Sequence, residues 1–313
     1  MQRALPAATV GNLVPPARGY PYFQGWEAGW LAPEAAFGPK NAWSLAEAAL
    51  LAYDTDANVE AAVAGSPLAR AGFRAEPRLS GRRTGYFVLR GAEVAVVSFR
   101  GTQLVSFFDA LADFATDAML VPKADLRGGG RAHSGFLDAL EPVWEALVRS
   151  LRGTGPVLLT GHSLGGALAT LAARWAIAER AFDVRGLCTF GAPRVGDAAF
   201  VEGLEEGGLA QNMLRVVNNA DLVPHLPPEL FYRHAGKLLR FDATGNAQGI
   251  APEEHSFGLG EVLASVGPDL QALLAFARDP RAPSDLPLPR PLADHAPVYY
   301  ALRAWNNLDR AIG

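Results

Sequence analysis

Cysteine is nearly absent from this chain of 313 residues: Cys188 stands alone, so no internal disulfide can form and the core must carry the fold. Charge is also scarce. Asp, Glu, Lys and Arg make up 19% of positions, against ~25% in an average soluble domain. No run of Lys or Arg forms a basic stripe and the formal net charge is −4, which excludes a nucleic-acid-binding surface. Counted with glycine and without tyrosine, the apolar share is about 58%, above the usual ~45–50%, and this excludes an intrinsically disordered chain. The first twenty residues lack a continuous apolar segment, being interrupted by Pro6, Gly11, Pro15 and Pro16, so no signal peptide is read and the cytoplasm is the default expectation. The six histidines are scattered without ligand spacing, so neither a metal nor another cofactor is expected.

One long stretch lacks formal charge, Gly153 to Ala173. Its length would span a bilayer, but five glycines, Pro156, His162 and several hydroxyls suit a lipid-embedded helix poorly. The run Val157-Leu158-Leu159, bounded by Gly and Pro, predicts instead a buried strand followed by a turn and a helix.

Residues 1–40 are rich in Ala, Pro and Gly and carry Tyr20, Tyr22, Phe23, Trp26 and Trp30, which predicts irregular chain packed by its aromatics. Ala42 to Tyr53 reads as a helix capped by Asn41. Tyr86–Arg90 and Glu93–Phe99, separated by Gly91-Ala92, read as a hairpin. From Ser134 to Leu151, Phe136, Leu140, Val143, Trp144, Leu147 and Leu151 recur at helical spacing, with Asp138, Glu141 and Glu145 off that stripe. Strands at 156–160, 186–190 and 213–217 then alternate with helices at 165–180 and 197–204. That order implies right-handed crossovers and a mostly parallel sheet covered on both faces, an α/β fold. Phe231–Arg240 suggests another hairpin. Residues 279–297 hold six prolines and read as a stiff exposed loop before a short helix from about Val298.

The chemistry is concentrated at Gly161-His162-Ser163-Leu164-Gly165, a G-x-S-x-G placed between a predicted strand and a predicted helix. A serine on so sharp a turn projects its hydroxyl above the sheet, while the glycines allow close backbone approach. The five-residue pattern alone is cheap, with a chance expectation of about 0.12 in a chain of this composition. Its strand-turn-helix setting gives it weight.

A serine hydroxyl needs a base, and the base needs an acid to fix its tautomer. In this architecture they follow in the order Ser, acid, His. Asp221 lies just beyond a predicted strand. His225 is too near Asp221 in sequence to be a separate arm, and His234 falls within the predicted hairpin. His255 and His295 remain, and chain order and loop context favour His295.

Five segments resemble the class 3 lipases, the fungal-lipase-like branch of the α/β-hydrolases. They are Phe99-Arg100-Gly101-Thr102, His133-Ser134-Gly135-Phe136, Gly161 to Gly166, Thr189 to Gly196, and Asn219-Ala220-Asp221-Leu222-Val223-Pro224. The resemblance runs from about residue 42 to 306 and implies Ser163 as nucleophile, Asp221 as acid and His295, within Asp294-His295-Ala296-Pro297, as base. It implies that the backbone N–H groups of Thr102 and Leu164 form the oxyanion hole, and that His133, His234 and Arg100 are structural. One α/β-hydrolase domain is expected over 1–313, with 1–40 an irregular extension, 103–125 a lid and 241–297 an enlarged excursion. The enlarged excursion and the lack of disulfides both depart from the secreted fungal members.

The resemblance implies acyl transfer from a lipid ester, at a lipid–water interface, with no nucleic-acid partner and no transmembrane segment. Short-chain carboxylesterase, phospholipase or acyltransferase activity of the same fold is the alternative, and a non-catalytic interaction module is a further one. Ser106 to Ala115 places Phe107, Phe108, Leu111 and Phe114 on one helical face and Asp109 and Asp113 on another. It reads either as a surface helix packed inward or, from its place after Thr102, as a lid whose Phe107, Phe108 and Leu111 touch substrate. The apolar stretch from Phe257 to Phe276 reads as core or as a wall of the acyl pocket.

Overall fold

The computed structural model describes residues 2–13, 15–17, 19–32, 38–80, 84–101, 122–227, 229–251, 285, 287–288 and 290–309. Its helices are α1 (Val10–Leu13), α2 (Pro39–Leu51), α3 (Asp56–Ala64), α4 (Pro67–Arg70), α5 (Ser134–Ser150), α6 (Leu164–Glu179), α7 (Ala198–Leu204), α8 (Arg290–Ala293) and α9 (Pro297–Asn306). Its strands are β1 (Arg74–Ser80), β2 (Gly85–Arg90), β3 (Ala95–Phe99), β4 (Lys123–Ala124), β5 (Arg131–Ala132), β6 (Val157–His162), β7 (Val184–Phe190), β8 (Met213–Asn218), β9 (Lys237–Phe241) and β10 (Ala247–Ala251). Among the described residues, no helix is long and apolar enough to cross a membrane.

Eight strands form one sheet in the order β1-β2-β3-β6-β7-β8-β9-β10. The centre, β3-β6-β7-β8-β9, is parallel, while β1, β2 and β10 are added antiparallel at the two sides. Side-chain alternation sorts the core into two layers. Phe87, Leu89, Val96 and Leu158 pack with Trp43, Leu45 and Leu50 of α2 and with Val298 and Leu302 of α9. Tyr86, Val88, Val97 and Leu159 pack with Trp144 and Leu147 of α5 and Leu168 and Leu171 of α6. The charge-free stretch from Gly153 is thus strand β6 and the helix pressed on it. Burial, not lipid, accounts for its composition.

The register brings the carboxyl ends of the parallel strands level: Phe99 pairs with Gly161, His162 with Phe190, and Asn218 with Phe241. The loops leaving β6, β7 and β8 therefore share one rim, the edge where open α/β sheets bind ligands.

Four local expectations need correction. Helix α2 begins at Pro39, not Ala42. Proline's fixed φ suits a first helical position, and Asn41 lies inside the helix with its amide donating to the Ala32 carbonyl. The first hairpin turn occupies residues 91–94, since Arg90 pairs with Ala95. Residues 231–240 are not a hairpin: Arg233 makes one bridge to Gly196, β9 runs parallel to β8, and the hairpin partner of β9 is β10. Finally, His295 is buried, not on an exposed loop, because the turn between α8 and α9 folds back onto the sheet rim.

Candidate active site

Ser163 connects β6 to α6 with φ 58° and ψ −128°, a conformation that costs a non-glycine residue on the order of 1–3 kcal/mol. The surroundings over-determine it. The Ser163 N–H donates to the Phe190 carbonyl at 2.9 Å, and the Ser163 carbonyl accepts from Gly166 and Ala167, so the helix starts at once. A Cβ at Gly161 would lie 2.3 Å from the Gly165 carbonyl, and one at Gly165 would lie 2.1 Å from the Phe99 oxygen. A Cβ at Gly166 would meet that of Ala192 at 2.6 Å. The glycines are therefore required by backbone crowding on both sides of the serine.

Asp221 follows β8 after Asn219, whose φ is 44°, and is fully buried. Three donors converge on its carboxylate. His295 Nδ1 lies 2.9 Å from each oxygen, the Tyr300 hydroxyl donates to Oδ2 at 2.5 Å, and the Val223 N–H donates to Oδ1 at 2.9 Å. Tyr300 also accepts from the Asn218 N–H at 3.1 Å, so one hydroxyl braces both the acid and the strand end before it. Because a carboxylate only accepts, the ring proton of neutral His295 sits on Nδ1. Nε2 is left with its lone pair, the tautomer a base requires.

A second histidine supports this one. His162 Nε2 lies 2.7 Å from the His295 carbonyl oxygen and must donate to it, which leaves Nδ1 to accept from the Tyr53 hydroxyl at 2.7 Å. Burial holds His162 well below the ordinary histidine range, and the neighbouring His295 acts in the same direction. Tyr53 also fills the space beside Gly101, where a Cβ would lie 2.0 Å from its hydroxyl. The sequence gives no role to the side chains of Tyr53, His162 or Tyr300. No local pattern marks them, since each meets its partner across a long stretch of chain.

The other sequence candidates fall as follows. Leu164 is the first residue of α6, so its N–H has no intrahelical acceptor and sits at the positive end of the helix beside Ser163. Thr102, Phe107, Phe108 and Leu111, the lid at Ser106–Ala115, His255 and the segment from Phe257 to Phe276 lie outside the described residues. His133 caps α5, its Nδ1 accepting from the Gly135 N–H at 3.2 Å. His234 Nε2 donates to the Pro224 carbonyl at 2.8 Å, and burial with Arg215 and Arg194 nearby pushes its pKa far down. His225 closes a short 3-10 turn just after Asp221. Among the described residues, no cluster of three His, Cys, Asp or Glu side chains could hold a metal ion.

A parallel sheet with a strained serine after one strand, and a buried Asp–His pair after another, defines the α/β-hydrolase class. Residues 96–231 match the family described as lipase (class 3). The lipase of Rhizomucor miehei is 35% identical over 167 residues, which cover 49% of this chain and 44% of that protein. The secreted mono- and diacylglycerol lipase 1 of Fusarium solani is 41% identical over 118 residues, 35% of this chain and 34% of its own. The matched stretch thus spans under half the length of either relative. A Rhizomucor miehei lipase–propeptide complex with a two-residue deletion shares the fold, with a TM-score of 0.54 at 23% identity over 78% of this chain and 83% of that one. The similarity to the class 3 lipases is thus carried by residues 96–231.

Proposed function

We propose that this protein is a serine ester hydrolase that cleaves lipid esters, acylglycerols foremost, through an acyl-enzyme intermediate. The observation that carries the reading is the buried Asp221–His295 pair on the same sheet rim as the strained turn at Ser163. Ser163 Oγ attacks the ester carbonyl while His295 Nε2 takes the hydroxyl proton. The carbonyl π electrons move onto oxygen, and the N–H groups of Leu164 and Thr102 hold the oxyanion. Collapse of the tetrahedral intermediate breaks the C–O bond, and His295 returns its proton to the leaving alcohol. Water then attacks the acyl-serine by the same steps and releases the fatty acid. Asp221 stays ionised throughout and stabilises the His295 imidazolium.

The test uses p-nitrophenyl esters of increasing acyl length, together with an emulsified acylglycerol. The wild-type protein hydrolyses them and its active serine is labelled by a fluorophosphonate. Ser163→Ala loses both while keeping its circular dichroism and melting curve. More than trace turnover in Ser163→Ala overturns the assignment. Rates that fall steadily from acetate to longer chains overturn the lipid-ester part and leave a short-chain esterase.

A further inference from the structure

Asp294 directly precedes His295 in the chain, yet its carboxylate bonds to the other catalytic loop. Oδ2 accepts from the Asn219 amide at 2.6 Å and from the Ala220 N–H at 3.3 Å. The Asp294 carbonyl accepts from the Asn218 amide at 2.8 Å. Asn218, Asn219 and Ala220 are the three residues that lead into Asp221. Three hydrogen bonds therefore join the residue before the base to the residues before the acid, and none is shared with the Asp221–His295 contact.

The nearby cations do not replace these bonds. Arg290 Nε and Arg303 Nη2 stand 3.7 and 3.8 Å from the Asp294 carboxylate, beyond hydrogen-bond distance. They offset its charge without fixing its orientation. Asp294 is 3% exposed, and a buried carboxylate is costly to desolvate unless its bonds are well made. Asn219 contributes from a positive φ, a conformation in which asparagine is enriched. Its side chain is thereby aimed across the gap between the loops.

We propose that Asp294 is a positioning residue. Through Asn219 and Ala220 it holds the His295 loop against the Asp221 loop, and so sets the placement of the His295 ring for proton transfer with Ser163. The proposal rests on the hydrolase reading above. Its expected size follows from the steepness of catalytic geometry, in which a displacement of ~1 Å costs up to ~10²-fold in rate.

The experiment measures kcat and KM on a p-nitrophenyl ester per active site titrated with a fluorophosphonate. Asp294→Ala is expected to lower kcat per titrated site between ~10-fold and ~10²-fold, with KM within about threefold of wild type. Asn219→Asp, which sets two carboxylates face to face, should fall comparably. The exchange Asp294→Asn with Asn219→Asp should recover part of the loss and exceed either single variant, because an amide nitrogen in the place of Oδ2 donates to residue 219 although it no longer accepts from the Ala220 N–H. If Asp294→Ala fails to fold, the Asn219→Asp and exchange proteins carry the test. A purely structural role would lower the number of titratable sites and leave kcat per site unchanged, which overturns the proposal, as does an exchange that recovers nothing. Absence of turnover in the wild type overturns the hydrolase reading and this one with it. An active wild type beside fully active Asp294 variants overturns this one alone.

Discussion

His162 and His295 lie ring beside ring, their centroids 4.5 Å apart, with His162 Nε2 donating to the His295 main-chain carbonyl. The arrangement requires His162 to stay neutral, and burial keeps it so. In the unfolded chain the same side chain titrates near pH 6.5. Below that pH the unfolded state takes up a proton that the native state refuses, so the stabilising contribution is complete above about 6.5 and is lost as pH falls. His234, also held far below its ordinary pKa, behaves alike. Each histidine contributes a slope of up to ~1.4 kcal/mol per pH unit. Urea midpoints are therefore expected to fall between about pH 6.5 and 5, and His162→Asn should flatten part of that fall. A slope unchanged in the variant would count against a neutral buried His162.

Glu47 works in the opposite sense. It is fully buried on α2, accepting from the Tyr20 hydroxyl at 2.6 Å and the Phe23 N–H at 2.8 Å, and burial raises its pKa to about 7. Its contribution is complete below the unfolded value and is lost as pH rises through about 7. Glu47→Gln removes the charge, so the stability of the variant relative to wild type should improve from pH 5 to pH 8. A difference that stays constant across that range refutes the titration of Glu47. Over the same range Glu47 therefore opposes the trend set by His162 and His234.

Gly191 offers a sharp steric test. It follows β7 with φ +55°, and a Cβ there would lie 2.6 Å from Asp221 Oδ2, 3.0 Å from the Tyr300 hydroxyl and 3.1 Å from His295 Nδ1. Gly191→Ala should cost ~10²-fold or more in kcat/KM by parting acid from base. Gly153→Ala is the control. Its φ is +70° but nothing lies within 4 Å, so it should lose about 1 kcal/mol of stability and no activity. Equal activity in the two variants would show that the Asp221–His295 contact tolerates intrusion.

The central strands and α5 were legible because burial on both sides leaves near-continuous apolar runs and burial on one side leaves a helical stripe. The serine turn was legible because crowding on both flanks forces glycine at fixed offsets. Strand β1, with the sequence RAEPRLS, carries no such pattern. It is an edge strand containing a proline, and β2 supplies its pairing. The burial of His295 was hidden by the prolines before it, since stiffness in a sequence does not say whether a segment lies over solvent or over a sheet. Asp294, Asn218 and Tyr300 were silent for another reason. Their bonds join residues some 75 to 82 positions apart, and no local spacing encodes such a meeting.

The turn at Ser163 also sets an evolutionary tension. A side chain at φ 58° and ψ −128° uses up on the order of 1–3 kcal/mol, from a total that in most domains is only ~5–15 kcal/mol. Selection for stability alone would favour glycine here, which accepts the backbone without steric strain at a smaller cost in chain entropy. The residue proposed to perform the chemistry is thus the one at which the working protein is held away from its own thermodynamic optimum.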